Sequence, residues 1–236
     1  MGKQRNIRLR ATVGNVIYYQ WKGIDCIRTV PVRVRQTANT KKAASLFGIA
    51  VKSAAKMRGL LCPLLPGPSD RGIIYELDNA FRKWLHTRPQ EKDEQEDNLS
   101  FFQLFSFNRK AVVPKVFKEV RTNRGEGGTV EIIIPPFNPL KDITAPAGTA
   151  RIAIKLMAVI LPFRDGKEAY TLQNAVSCIY EDKLLPQQLF TFPQVTNAKT
   201  LVILAMALQF YHSTGDTLPI RQMRWRPVVI TGSLYN

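Results

Sequence analysis

The chain is short of the residues on which most catalytic and metal chemistry depends: it has two histidines, His86 and His212, and three cysteines, Cys26, Cys62 and Cys178, in 236 residues. Neither histidine has a second His, Cys or carboxylate pair at metal-ligand spacing, so no metal site is expected. Three cysteines, odd in number and far apart, argue against a disulfide framework and suit a reducing compartment. There is no G-x-S-x-G elbow, and no cysteine sits in a known nucleophile context. Gly125-Glu126-Gly127-Gly128 lacks the following Lys-Ser/Thr of a phosphate loop and precedes a strand pattern, so it reads as a hairpin turn. The expectation is therefore no enzymatic activity, no cofactor and no small-molecule substrate. Long apolar runs are also missing. Ile152–Leu161 and Leu201–Phe210 are ten residues each, against roughly 20 for a membrane-spanning helix. The N-terminus is charged and then polar, without the apolar stretch of a secretory signal. A cytoplasmic protein with no membrane span is expected.

Acid is nearly absent from the first quarter, and this carries the most information. Met1 to Gly59 holds thirteen Lys and Arg against Asp25 alone, whereas the remaining 177 residues hold 21 against 17. A field this lopsided attracts a polyanion, and it bears on partners rather than on fold. With 45% hydrophobic residues, the chain still has enough apolar content for an ordinary core.

Val13–Tyr19 and Ile24–Val34 are rich in β-branched and aromatic residues and flank Lys22-Gly23, the signature of a hairpin. Val30, Val32 and Val34 alternate with Pro31, Arg33 and Arg35, so a strand there turns both arginines to solvent. A helix is expected next, from an N-cap at Thr40 to a terminator at Gly59. Ala43, Leu46, Phe47, Ala50, Val51, Ala54 and Met57 share one of its faces; Lys41, Ser45, Gly48, Lys52 and Lys56 share the opposite one. Ser69 or Asp70 caps a second helix, carrying Ile73, Ile74, Leu77, Phe81, Trp84 and Leu85, that ends before Pro89. The acidic run Glu91–Asp97 reads as a linker. Beyond it, Phe101–Phe107, Ala111–Val120, Thr129–Ile134, Ala150–Leu161, Tyr170–Tyr180, Gln188–Phe192, Thr200–Tyr211 and Arg224–Leu234 read as strands, although Leu201–Phe210 has the composition of a helix as well. The fold class is α+β: a basic N-terminal β-hairpin plus two helices (residues 1–90), a linker (91–98), and an antiparallel immunoglobulin-like β-sandwich (99–236).

Val13-Gly14-Asn15, Trp21-Lys22-Gly23, Arg28 and Pro31 together resemble a set of uncharacterised Bacteroidota proteins that combine a VGN element, a WKG turn, an Arg-x-x-Pro step and a β-rich C-terminal half. The likeness covers about the first 60 residues. The chain departs from it in placing Arg5, Arg8 and Arg10 where those proteins carry glycine, and Thr37-Ala38-Asn39-Thr40 where they carry Asn-Pro-Arg-Thr. The resemblance implies a two-part layout and no established activity.

These residues point to a nucleic-acid-binding protein, DNA or RNA, that contacts phosphates without sequence readout through Arg5, Arg8, Arg10, Arg33, Arg35, Lys41, Lys42, Lys52 and Lys56. Tyr18, Tyr19 and Trp21 are candidates for stacking on bases. A homo-oligomer is expected, a self-assembling polymer being one form of it. The alternative is a structural subunit of a filament or phage-like particle whose basic arm contacts a neighbouring subunit.

Overall fold

The computed structural model describes residues 2–3, 10–30, 36–67, 71–87, 100–125, 128–163, 168–193 and 200–235. The class is mixed α+β and rich in strands, with four α-helices and three antiparallel sheets among the described residues. The chain forms two compact units, Met1–Ala44 and Ser45–Asn236. The acidic run expected as a linker, Glu91–Asp97, lies outside the described residues.

The first unit is a small sheet. β1 (Gly2–Lys3), β2 (Ala11–Val13), β3 (Val16–Trp21) and β4 (Ile24–Thr29) stand in the order β1-β4-β3-β2. The expected hairpin forms with Trp21 opposite Ile24. Its two-residue turn has φ of 50° at Lys22 and 78° at Gly23, the paired positive values of a turn whose twist matches that of the strands.

Helix α1 (Ala38–Leu61) spans the division between the units. It starts earlier than expected because Thr37, not Thr40, caps it: the Thr37 hydroxyl accepts from the Thr40 amide at 3.2 Å, satisfying a free N-terminal donor. It also runs past Gly59, since Leu61 and then Leu64 are buried in the core. Buried positions are Ala50, Ala54, Met57 and Leu61, a narrower stripe than expected; Phe47, assigned to that face, is 55% exposed.

The second unit is built around one strand. β10 (Thr200–Tyr211) is buried at all twelve positions, which requires cover on both faces. Its odd-numbered residues Leu201, Ile203, Ala205 and Ala207 share a core with Ala50, Ala54, Met57 and Leu61 of α1 and with Leu77, Phe81 and Trp84 of α2 (Arg71–Thr87). Its even-numbered residues Val202, Leu204, Met206, Leu208 and Phe210 pack with Val130, Ile132 and Ile134 of β6 (Val130–Ile134) and with Phe192 of β9 (Gln188–Phe192). The layers are thus helices, a four-stranded sheet and a three-stranded sheet. The larger sheet runs β11 (Val228–Tyr235), β10, β7 (Arg151–Pro162), β8 (Tyr170–Ile179), and the smaller runs β5 (Arg121–Arg124), β6, β9.

Two expected strands are absent. Residues 101–107 form turns with a single bridge at Ser106. Within 111–120, Pro114 stands at the N-cap of a short helix, α3 (Lys115–Glu119), which buries the adjacent Val116 and Phe117. Burying neighbours is helical behaviour, since a strand would send them to opposite faces. α4 (Pro139–Asp142) was not anticipated; Asn138 accepts from the amides of Leu140 and Lys141.

Candidate nucleic-acid interface

The basic residues fall into two groups that follow the two units. In the first unit, alternation along β3 and β4 puts Ile17, Tyr19 and Trp21 on the face that also carries Cys26 and Arg28. The Arg28 guanidinium lies 5.4 Å from the Tyr19 ring centre, and the Lys22 ammonium lies 5.0 Å from that of Trp21. Such cation–aromatic contacts hold both partners in place while leaving the charge in water. Trp21 is 54% exposed, while Tyr18 and Tyr19 are half-buried, so the indole is the freest of the three rings expected to stack. Tyr18 points to the opposite face from Tyr19, so the three rings do not form one platform. Arg10 is exposed, and its guanidinium donates to the Gln20 side-chain carbonyl. Lys41 and Lys42 are exposed in the first turns of α1. Arg5, Arg8, Arg33 and Arg35 lie outside the described residues.

In the second unit, Lys52 and Lys56 are exposed on the side of α1 away from Ala50, Ala54 and Met57. Among the described residues neither makes an ion pair. Arg58, just beyond them, is different: its guanidinium meets Asp78 of α2 at 3.2 Å, with both side chains largely buried. That pair ties α1 to α2 and is a structural contact. α1 contains no acidic residue along its length, so the lysines have no compensating charge on their own helix. Sequence spacing located this stripe; it could not show that Arg58 is already engaged.

Candidate catalytic chemistry is sparse. His86 is exposed, and the Nδ1 of His212 lies 3.3 Å from the Gly148 carbonyl. Among the described residues no three His, Cys, Asp or Glu side chains stand together as a cation would need. None of the three cysteines is in a disulfide: Cys26 is buried, Cys62 exposed and Cys178 intermediate, with burial pushing the Cys178 thiol up to about 11. A cleft of about 280 Å³ is lined by Ser100, Gln103, Val120, Thr122 and Thr231 to Leu234, none of them titratable at neutral pH. No described helix is long and apolar enough to cross a membrane.

Comparison of the chain with protein-family models, with curated proteins and with solved structures gives no match. The functional reading therefore rests on the residues themselves.

Proposed function

We propose that the protein is a non-enzymatic nucleic-acid-binding protein that grips phosphates without reading bases. The observation that carries this is the acid-free helix α1, on which Lys52 and Lys56 stand exposed and, among the described residues, unpaired, while Arg58 is held by Asp78. Like charges four residues apart cost a helix about 0.2–0.5 kcal/mol, and a nearby phosphate turns that cost into a gain. The first unit adds Arg10, Lys22, Arg28, Lys41 and Lys42 with the exposed indole of Trp21, a surface suited to backbone contact and nonspecific stacking.

The scaffold in this reading is an immunoglobulin-like sandwich. Lettering β5 to β11 as A to G gives sheets A-B-E and G-F-C-D. The constant-type arrangement has ABED against CFG, so the order supports the assignment with strand D moved to the other sheet. The helices then serve as an added layer on the G-F-C-D sheet.

The test is fluorescence anisotropy with labelled single- and double-stranded oligonucleotides over a salt series. Binding is expected to weaken steeply with salt and to vary little with sequence. In Lys52→Glu/Lys56→Glu the slope of log affinity against log salt on duplex should fall by about 1.8, since each phosphate contact contributes about 0.9. Absence of binding at low salt, or an unchanged slope in that variant, rejects this interface. The alternative, an assembly subunit, has one observation in its favour: the open edge of β8.

A further inference from the structure

We infer that β8 is a self-association edge, at which two copies of this chain pair antiparallel about a two-fold axis through Ala175 and join their four-stranded sheets into one. This inference does not rest on the nucleic-acid reading.

A bare sheet edge is a template for pairing, and proteins that remain single blunt their edges with charge, proline, brevity or a covering segment. Among the described residues the second unit has four sheet edges, and three are handled in these ways. Along β11, residues 104–107 run beside the strand: Leu104 donates to the Ile230 carbonyl at 2.9 Å, Phe107 donates to that of Val228 at 2.9 Å, and the Ile230 amide donates to that of Phe105. β5 is four residues long and carries Arg121 and Arg124. β9 has only five residues. β8 is ten residues long, Tyr-Thr-Leu-Gln-Asn-Ala-Val-Ser-Cys-Ile, with no charge, proline or glycine, and it pairs with β7 in unbroken register from Tyr170 to Ile179.

Its outward hydrogen-bonding groups follow from that register. The Tyr180 amide donates to the Ala150 carbonyl, so antiparallel alternation turns the even-numbered residues of β8 toward β7 and leaves Thr171, Gln173, Ala175, Ser177 and Ile179 directing N–H and C=O away from the sheet. The Ala175 amide is bonded locally, to the Asn174 side chain at 2.8 Å. No other main-chain partner beyond β7 reaches the strand among the described residues. Gln173, Asn174 and Ala175 at its centre are all exposed.

The occupant follows from symmetry and charge. Rotation about Ala175 sets Thr171 against Ile179, Gln173 against Ser177 and Ala175 against itself. Every outward-facing position then meets another outward-facing position, as an isologous pair requires. On the other face the half-buried Leu172 meets Cys178. Two copies of a chain with net charge +16 repel, and β8 supplies ten uncharged residues along which they can still approach. Beyond the strand ends the same register sets Glu168 against Asp182, whose charge Lys141 already compensates at 2.9 Å.

The experiment is light-scattering mass of the full chain, freed of nucleic acid, at about 100 µM, where a micromolar pair is associated. The wild-type chain is expected at twice 26.7 kDa. Gln173→Lys/Ser177→Lys places lysines directly opposite each other across the axis and should return the mass to that of one chain with an unchanged circular dichroism spectrum. Register is read independently in a Cys62→Ser background. Ala175→Cys should cross-link on oxidation, because a hydrogen-bonded pair holds its Cα atoms about 5.5 Å apart, within disulfide reach. Ser177→Cys, off the axis, should not. A single-chain mass for the wild type, a doubled mass that survives the two lysines, or equal cross-linking at 175 and 177 overturns the inference.

Discussion

Lys52, Lys56 and Arg58 are neighbours in sequence with the same charge, yet they have different roles. Arg58 is an internal tie, and the two lysines are free charge. The thiols divide in a similar way. Cys62 is exposed, while burial raises the Cys178 thiol to about 11, and only the thiolate reacts. At pH 8 a maleimide or disulfide reagent should therefore modify Cys62 first, with Cys178 joining as the pH rises toward 11, as mass spectrometry of labelled peptides would record. Because its folded value lies above the ordinary one, Cys178 contributes stability that is fully present below about pH 9 and is lost as pH climbs through about 11. Gly59 offers the opposite kind of prediction. It lies inside α1, and a Cβ there would meet nothing within 4 Å. Gly59→Ala should raise stability by about 0.5–1 kcal/mol in chemical denaturation, the difference in helix propensity.

β10 is the element on which the second unit depends. Ile203 and Leu204 are adjacent and fully buried, one facing the helices and the other the smaller sheet. Ile203→Ala and Leu204→Ala should each cost about 2–5 kcal/mol in urea denaturation, and near-equal losses would show that the helical layer is as integral as the sheet. Much of this was legible in the sequence. The Lys22-Gly23 turn, the α1 lysine stripe and the strands at 130–134, 170–179 and 188–192 follow from turn chemistry and alternation. Two-sided burial was not legible, because a continuous apolar run reads equally as a buried helix or a strand covered twice. Residues 101–107 and 111–120 misled for another reason: apolar density there serves turns and a one-turn helix, and Pro114 sets the local geometry ahead of propensity. The stripe on α1 was located correctly by its period, but Phe47 was misassigned, because periodicity gives the direction of a side chain and not what stands opposite it.

At the scale of the whole molecule, the two proposed contacts fall on different kinds of surface. The proposed nucleic-acid contacts lie on charged groups, and the proposed contact between copies lies on an uncharged strand, so the two should respond oppositely to ionic strength. Raising salt toward 1 M screens phosphate contacts and also the repulsion between copies, so nucleic acid should be released while the doubled mass persists, which light scattering at both salts would register. The fold also has a consequence in time. β7 leaves the ribosome about 40 residues before its partner β10, and β10 is sealed only once β11 has followed it. Until β10 emerges β7 can pair only with β8, and until β11 follows the far edge of β10 stays open; pairing across such separations is intrinsically slow. The strand that anchors the finished unit is thus itself an aggregation hazard during synthesis, and chaperone demand should track how long β10 waits for β11.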